Sequence, residues 1–177
     1  MKFLILGIGN IMFADEGIGV HLCKLLEKNY KFTHPNHSLN FVDGGTLALQ
    51  LSYIIAEYDK MIVLDCIDAD DSKIGDVFFF PYDAMPKKIN WSGSAHEVEM
   101  LQTLQYMELM GDLPPTQILA CIPKRIKPMS FTLSQEIVSA GKIMEKTLLE
   151  YLAKEGFSYE KIANHSLQEL ADISYKN

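Results

Sequence analysis

The sequence predicts a single-domain α/β fold: a twisted, mostly parallel five-stranded sheet with helices on both faces. Three observations carry that expectation. Short apolar runs, too brief for helices, recur along the chain and end at Gly or Asp, as in Phe3–Leu6 before Gly7 and Met61–Leu64 before Asp65. Between them lie segments with apolar residues at helical spacing, such as Ile18, Leu22, Leu25 and Leu26. Strands that alternate with helices join through right-handed crossovers into a parallel sheet covered on both sides. At 177 residues and 48 % hydrophobic, the chain is long enough to bury one sizeable core.

The first strand, Phe3 to Leu6, runs through the turn residues Gly7 and Gly9 into a helix from about Asp15 to Tyr30. Lys31 to Ser38, with Pro35, reads as a polar link. Leu39 to Val42 is a second strand closed by Asp43-Gly44-Gly45-Thr46. Leu47, Leu51, Ile54, Ile55 and Tyr58 mark one face of a second helix, and Met61 to Leu64 is the third strand. Asp68 to Gly75 reads as a turn and Val77 to Phe80 as a fourth strand, an antiparallel hairpin partner for the third. Residues 81 to 93 hold Pro81, Pro86 and Trp91 without periodicity and read as a loop. A third helix from about Ala95 to Met110 leads to a fifth strand, Ile118 to Ile122. The last long helix begins after Thr132, which with Gln135 has capping-box spacing, carries the stripe Leu133, Ile137, Ala140, Met144, Leu148 and Tyr151, and ends at Gly156. Beyond it the apolar signal is weak and supports at most one short helix.

Net charge is -7, from 16 Lys+Arg against 23 Asp+Glu, which argues against nucleic acid or an anionic membrane surface as partner. No window has the roughly 18 apolar residues of a membrane span. The N-terminal apolar run is followed by Asn10, Asp15 and Glu16 without a small-residue cleavage site, so the expected location is cytoplasmic. Cys23, Cys66 and Cys121 form no C-x-x-C and read as small buried hydrophobes.

Ligands of open α/β sheets bind beyond the carboxyl ends of the strands, where the loop after the first strand lies. Gly7 and Gly9 fit two glycines of G-x-G-x-x-G, but Met12 stands at the third and would block the approach of a pyrophosphate. A metal site fits better. Glu16 follows the first strand, Asp65 ends the third, and His96 opens the third helix, where Ser94 and Glu97 have capping-box spacing. The positive end of a helix dipole disfavours imidazolium and leaves a ring able to bind metal. Two oxygens and one nitrogen suit zinc or nickel, with positions open to another ligand.

Ordinary structural roles compete with this reading: Asp15 or Glu16 as a helix cap, Asp65 in a turn, His96 at the surface. His21, His34, His37 and His165 read as surface or satisfied histidines, and Met100, Met107 and Met110 as core filling. Nucleophilic hydrolysis has no G-x-S-x-G elbow and no H-E-x-x-H to support it. Ser94 is a cap, and Cys66 should face away from Asp65.

These residues carry a resemblance to a known family, the hydrogenase maturation endopeptidases. The matching segments are GIGNIMFADEGIGV (Gly7 to Val20), DGGT (Asp43 to Thr46), DKMIVLDCIDA (Asp59 to Ala69), SAHE around His96 and CIPKRIKPMSFTLS (Cys121 to Ser134). The resemblance implies an aspartyl-type endopeptidase domain over residues 1–155. It would remove the C-terminal extension of a nickel–iron hydrogenase large-subunit precursor, cutting after a basic residue. It implies Glu16, Asp65 and His96 as metal-holding residues, with nickel presented by the substrate and zinc or another divalent metal able to take its place. Asp43 either orients water and substrate or only shapes its turn. Glu97 stands where many relatives have Gln, and residues 156–177 match no family feature. A non-catalytic nickel-sensing chaperone of the precursor would use the same ligands.

Overall fold

The computed structural model describes residues 1–85, 89–90, 95–124 and 127–176, with the backbone alone at 48, 89–90, 95–99 and 176. In chain order the elements are β1 (Lys2–Ile8), α1 (Ile18–Asn29), β2 (Tyr30–Thr33), β3 (Ser38–Gly45), α2 (Ser52–Ile55) and β4 (Lys60–Cys66). There follow β5 (Asp68–Ala69), β6 (Val77–Pro81), β7 (Ile89–Asn90), α3 (Ala95–Met110), β8 (Thr116–Cys121), α4 (Gln135–Lys154), β9 (Ser158–Lys161) and α5 (Leu167–Ile173). Five strands form one sheet in the order β3-β1-β4-β8-β6. The first four are parallel, and β6 joins β8 antiparallel. This is the expected fold class.

Alternation along buried strands divides the core into two layers. Phe3 and Ile5 of β1 and Ile62, Leu64 and Cys66 of β4 pack with α1, α4 and α5. Leu4, Leu6 and Ile8, with Met61 and Val63, pack beneath Leu51 and Ile55 and beneath Met100, Leu104 and Met107 of α3. Cys66 thus leaves the sheet on the face opposite to that taken by residues 61, 63 and 65, as expected. Met100 and Met107 are buried core filling, whereas Met110 is exposed. Gly19 sets the spacing of α1: a Cβ there would lie 2.1 Å from the Leu64 carbonyl oxygen, so only glycine lets the helix sit this close to β4.

Several elements depart from expectation. The first helix starts at Ile18, because Ala14–Gly17 forms a 3-10 turn. The second helix shrinks to a 3-10 turn, Ala48–Leu51, and the single turn of α2. β6 cannot pair with β4, because β1 and β8 already occupy both edges of β4. The cap of α4 is Ser134, not Thr132; its hydroxyl accepts from the Ile137 amide. The polar link contains β2, which pairs antiparallel with β9 of the tail. The tail continues into α5, closed by a Ser166/Glu169 capping box, and buries Leu167, Leu170 and Ala171 against the α1–α4 layer. Within 81–93, Tyr82–Ala84 forms a 3-10 turn and β7 pairs with β5. Pro86, Trp91 and Ser94 lie outside the described residues, as does the side chain of Glu97. No helix among the described residues is long and apolar enough to cross a membrane.

Candidate active site

The connections from β1 and β4 leave on opposite faces of the sheet, α1 to one side and the chain toward α3 to the other. Their carboxyl ends therefore bound the crevice where ligands of open sheets bind. Gly9 opens this region. Its φ of +139 and a Cβ position 2.0 Å from the Glu16 carbonyl oxygen exclude any side chain. Asn10 then folds the loop: its side-chain oxygen accepts from the Met12 amide at 3.0 Å and its carbonyl from the Phe13 amide at 3.0 Å. The 3-10 turn that follows buries two consecutive carboxylates, Asp15 (0 % exposed) and Glu16 (3 %).

These neighbours do different things. Asp15 accepts hydrogen bonds from the Ser134 amide (2.7 Å), the Ser134 hydroxyl (2.8 Å) and the Lys124 amide (3.1 Å). It caps no part of α1; it ties the first loop to the connection between β8 and α4. The same two loops are joined by their backbones, Ala14 amide to Ser130 carbonyl (2.7 Å) and Ser130 amide to Met12 carbonyl (3.1 Å). Glu16, by contrast, has a buried Oε1 with no hydrogen-bond partner among the described residues. An unmatched buried carboxylate oxygen is costly, so Glu16 calls for a cation or donor beyond the described side chains.

Asp65 is 1 % exposed, one residue before the end of β4, and its Oδ1 accepts from the Cys66 amide at 2.8 Å. The sheet order puts it one strand from β1. Nearby Cys121 is buried, and burial, with the charges of Asp65 and Asp15, pushes its thiol well above the usual range, which disfavours the thiolate. His96 is the second residue of α3. Pairing of Asp68 with Asn90 brings the chain leading into α3 back to the carboxyl end of β4, so the first turn of the helix starts at this end of the sheet. The His96 side chain lies outside the described residues, which by themselves contain no group of three metal-binding side chains.

Asp43 stands apart. Its Oδ2 pairs with Lys24 of α1 at 2.9 Å and its Oδ1 accepts from the Gly45 amide at 3.1 Å. It leaves the sheet on the α1 face, opposite to the face of Asp65, beside the register shift that sets Gly7 against Asp43 and Ile8 against Gly45. His21 was not singled out by its sequence context and is neither exposed nor satisfied. It is fully buried, and neither ring nitrogen has a partner among the described residues. Burial, with a smaller contribution from Lys24, lowers its pKa to about 4. Position 21 lies three residues after the buried Ile18, which was the available signal.

Comparison with known proteins gives a consistent result. A family model described as hydrogenase maturation protease matches residues 20–151. Protein HydD of Wolinella succinogenes is 47 % identical over 158 residues, covering 89 % of this chain and 99 % of that protein. The hydrogenase 2 maturation protease of Escherichia coli is 28 % identical over 129 residues, covering 72 % and 77 %. The structure resembles the hydrogenase maturating endopeptidase HybD from E. coli, with a TM-score of 0.79 at 24 % identity over 92 % of this chain and 98 % of that one. It also resembles the maturation protease HybD from Thermococcus kodakarensis (TM-score 0.65, 23 % identity, 86 % and 99 % covered). At such identities the two structures speak to the fold.

Proposed function

We propose, on the premise that this chain belongs to the hydrogenase maturation protease family and is an endopeptidase, that it removes the C-terminal extension of a nickel–iron hydrogenase large-subunit precursor once nickel is in place. The observation that supports the reading is the buried Glu16 oxygen without a partner among the described residues, in the loop after β1, with the buried Asp65 near the carboxyl end of the adjacent β4. Nickel arrives as part of the substrate, on its cysteine sulfurs. The donor set fits it: two carboxylates and the imidazole of His96 leave coordination positions open, which substrate sulfurs would fill.

In this reading Glu16 and Asp65 offer oxygens to the incoming ion, and Asp15 fixes the turn that aims Glu16. His96, the second residue of α3, is the nitrogen donor of this reading. Asp43 shapes the Gly44–Gly45 turn through its bonds to Lys24 and Gly45. A divalent ion held here by Glu16, Asp65 and His96 would supply Lewis-acid polarisation of the scissile carbonyl. The reaction takes place in the cytoplasm, where precursor and protease meet. Mass spectrometry of the precursor after incubation tests the proposal. Nickel-loaded precursor should be shortened and nickel-free precursor left intact, and His96→Ala should abolish shortening. Efficient trimming of nickel-free precursor in a strong chelator, or complex formation without any shortening, would overturn it.

A further inference from the structure

The two edges of the main sheet differ in how they are protected. β6 is five residues long and ends in Pro81, which suits an edge that must not pair. β3 is eight residues long, contains no proline, and pairs only with β1. Its one charged residue, Asp43, is matched by Lys24, and its irregularity is confined to the Gly44–Gly45 end. From Ser38 to Val42 it is a regular strand with no strand among the described residues paired to its outer side.

Which main-chain groups face outward follows from the register. The Ser38 amide donates inward to the Met1 carbonyl at 3.0 Å. Alternation then turns Asn40 and Val42 inward as well, and directs the N–H and C=O groups of Leu39, Phe41 and Asp43 away from the sheet. A groove of about 420 Å³ runs along this edge, lined by the consecutive residues Leu39–Val42 with Tyr30 and Phe32 among the walls. Tyr58 also lines it, and its hydroxyl accepts from the side-chain Nδ2 of Asn40 at 3.0 Å.

We propose that this edge binds the C-terminal extension of the substrate as an added strand, antiparallel to β3. The inference rests on the proteolytic reading above and identifies where the enzyme grips its substrate. An open row of backbone donors and acceptors selects an extended polypeptide, and does so with little regard to its side chains. Position supports the substrate as the occupant. β3 runs directly into Asp43 and Gly45, and the Gly45 carbonyl accepts from the Gly9 amide at 2.9 Å at the mouth of the site. Strands lie about 4.8 Å apart, so a strand added outside β3 is three steps, about 14 Å, from β4 and Asp65. At about 3.3 Å per residue, four to five residues bridge that gap. The chain beyond the scissile bond then enters at the carboxyl end of β3 and runs toward Ser38. Pairing of two copies through the same edge is opposed by a net charge of -7 on each.

The test compares Leu39→Pro with Leu39→Ala. Both lose the leucine side chain; only proline removes the outward N–H, at a position where an edge strand tolerates it. Loss of one main-chain hydrogen bond corresponds to about five- to tenfold in affinity. Leu39→Pro should therefore raise KM for nickel-loaded precursor about fivefold or more above Leu39→Ala, with kcat within about twofold. Thermal unfolding should show both variants folded. Independently, a synthetic peptide copying the extension, added to the isotope-labelled wild-type protein, should shift the Leu39, Phe41 and Asp43 amides and slow their hydrogen exchange. Equal KM in two folded variants, or amides that the peptide leaves unmoved, would overturn the proposal. So would a dimer in sedimentation that Leu39→Pro dissociates. If wild-type protein fails to shorten any precursor, the proteolytic reading fails instead, and the peptide titration still reports on the edge.

Discussion

Replacing Asp15 with asparagine changes one atom and disturbs a junction on which the site depends. The carboxylate is fully buried and accepts from the Ser134 amide, the Ser134 hydroxyl and the Lys124 amide. Asparagine keeps one acceptor and presents an NH₂ group where the other oxygen was. The Ser134 hydroxyl can turn to accept from it, but the Lys124 amide then faces a donor. Hydrogen bonds to a charged group contribute about 1.5–3 kcal/mol each, and stranding a buried donor adds about 1–3 kcal/mol, non-additively. The expected loss is about 2–4 kcal/mol, or roughly 5–15 °C in Tm for a domain of this size. Ser134→Ala removes both the cap of α4 and one Asp15 contact and should cost about 1–2 kcal/mol. Urea denaturation of the two single variants and the double variant measures the coupling. The double should fall short of the sum by about 1 kcal/mol, because each substitution breaks the same bond. A loss under about 0.5 kcal/mol for Asp15→Asn, or strict additivity, would refute the claim that this carboxylate fastens the two loops.

Two further outcomes follow from the neighbouring groups. His21 has a folded pKa of about 4 against an ordinary value of 6.5, so the unfolded chain takes up its proton first as pH falls. Stability should decline from pH 6.5 to pH 4 by about 3 kcal/mol from this residue alone and be regained as pH rises. Denaturation of wild-type protein and His21→Leu across that range should show the difference, and parallel curves would contradict it. Glu16→Gln should leave stability unchanged or raise it by about 1 kcal/mol, since it relieves a buried charge with an unmatched oxygen, while abolishing precursor shortening. An active Glu16→Gln enzyme would remove Glu16 from the site.

Buried strands were legible as short apolar runs, and α1 and α4 as helices with a one-sided apolar stripe. α3 spans Ala95–Met110 as expected although it has no such one-sided stripe, and Lys60–Cys66 extends the apolar run by one residue at one end and two at the other. Tertiary context overrode the local signal elsewhere. The cap of α4 moved from Thr132 to Ser134 because Ser134 bonds Asp15, a partner 119 residues away. β2 and β9 are four residues each and stable only against one another, so neither stands out in its own window. In α2 the apolar spacing continues, but the chain must turn back into β4 and completes only one α-helical turn. At the candidate site, Glu16 was visible as an acid just beyond the first strand and Asp65 as an acid at the end of the third apolar run. The isolation of Asp43 was not, because the face on which a strand-end side chain emerges depends on pairing and on a register shift.

The loop that carries Glu16 is held by means that do not involve Glu16. Ala14 has φ +53 and Met129 has φ +55, two non-glycine residues in the left-handed region, each costing about 1–2 kcal/mol. They lie on opposite sides of the Phe13–Ser130 bridge, so the strain sits where two segments more than a hundred residues apart are laced together. Such a conformation persists only when its surroundings over-determine it. Here the backbone bonds of Ser130 and the Asp15 network do so. Asp15 gains stability from every donor it meets, while Glu16 keeps an oxygen that no described residue bonds. Adjacent positions in a tight turn project their side chains in different directions, which is how one loop serves both ends. A flexible loop would let Glu16 shift toward solvent. The strap across its base holds the turn, and with it the Glu16 carboxylate, whose Oε1 has no hydrogen-bond partner among the described residues.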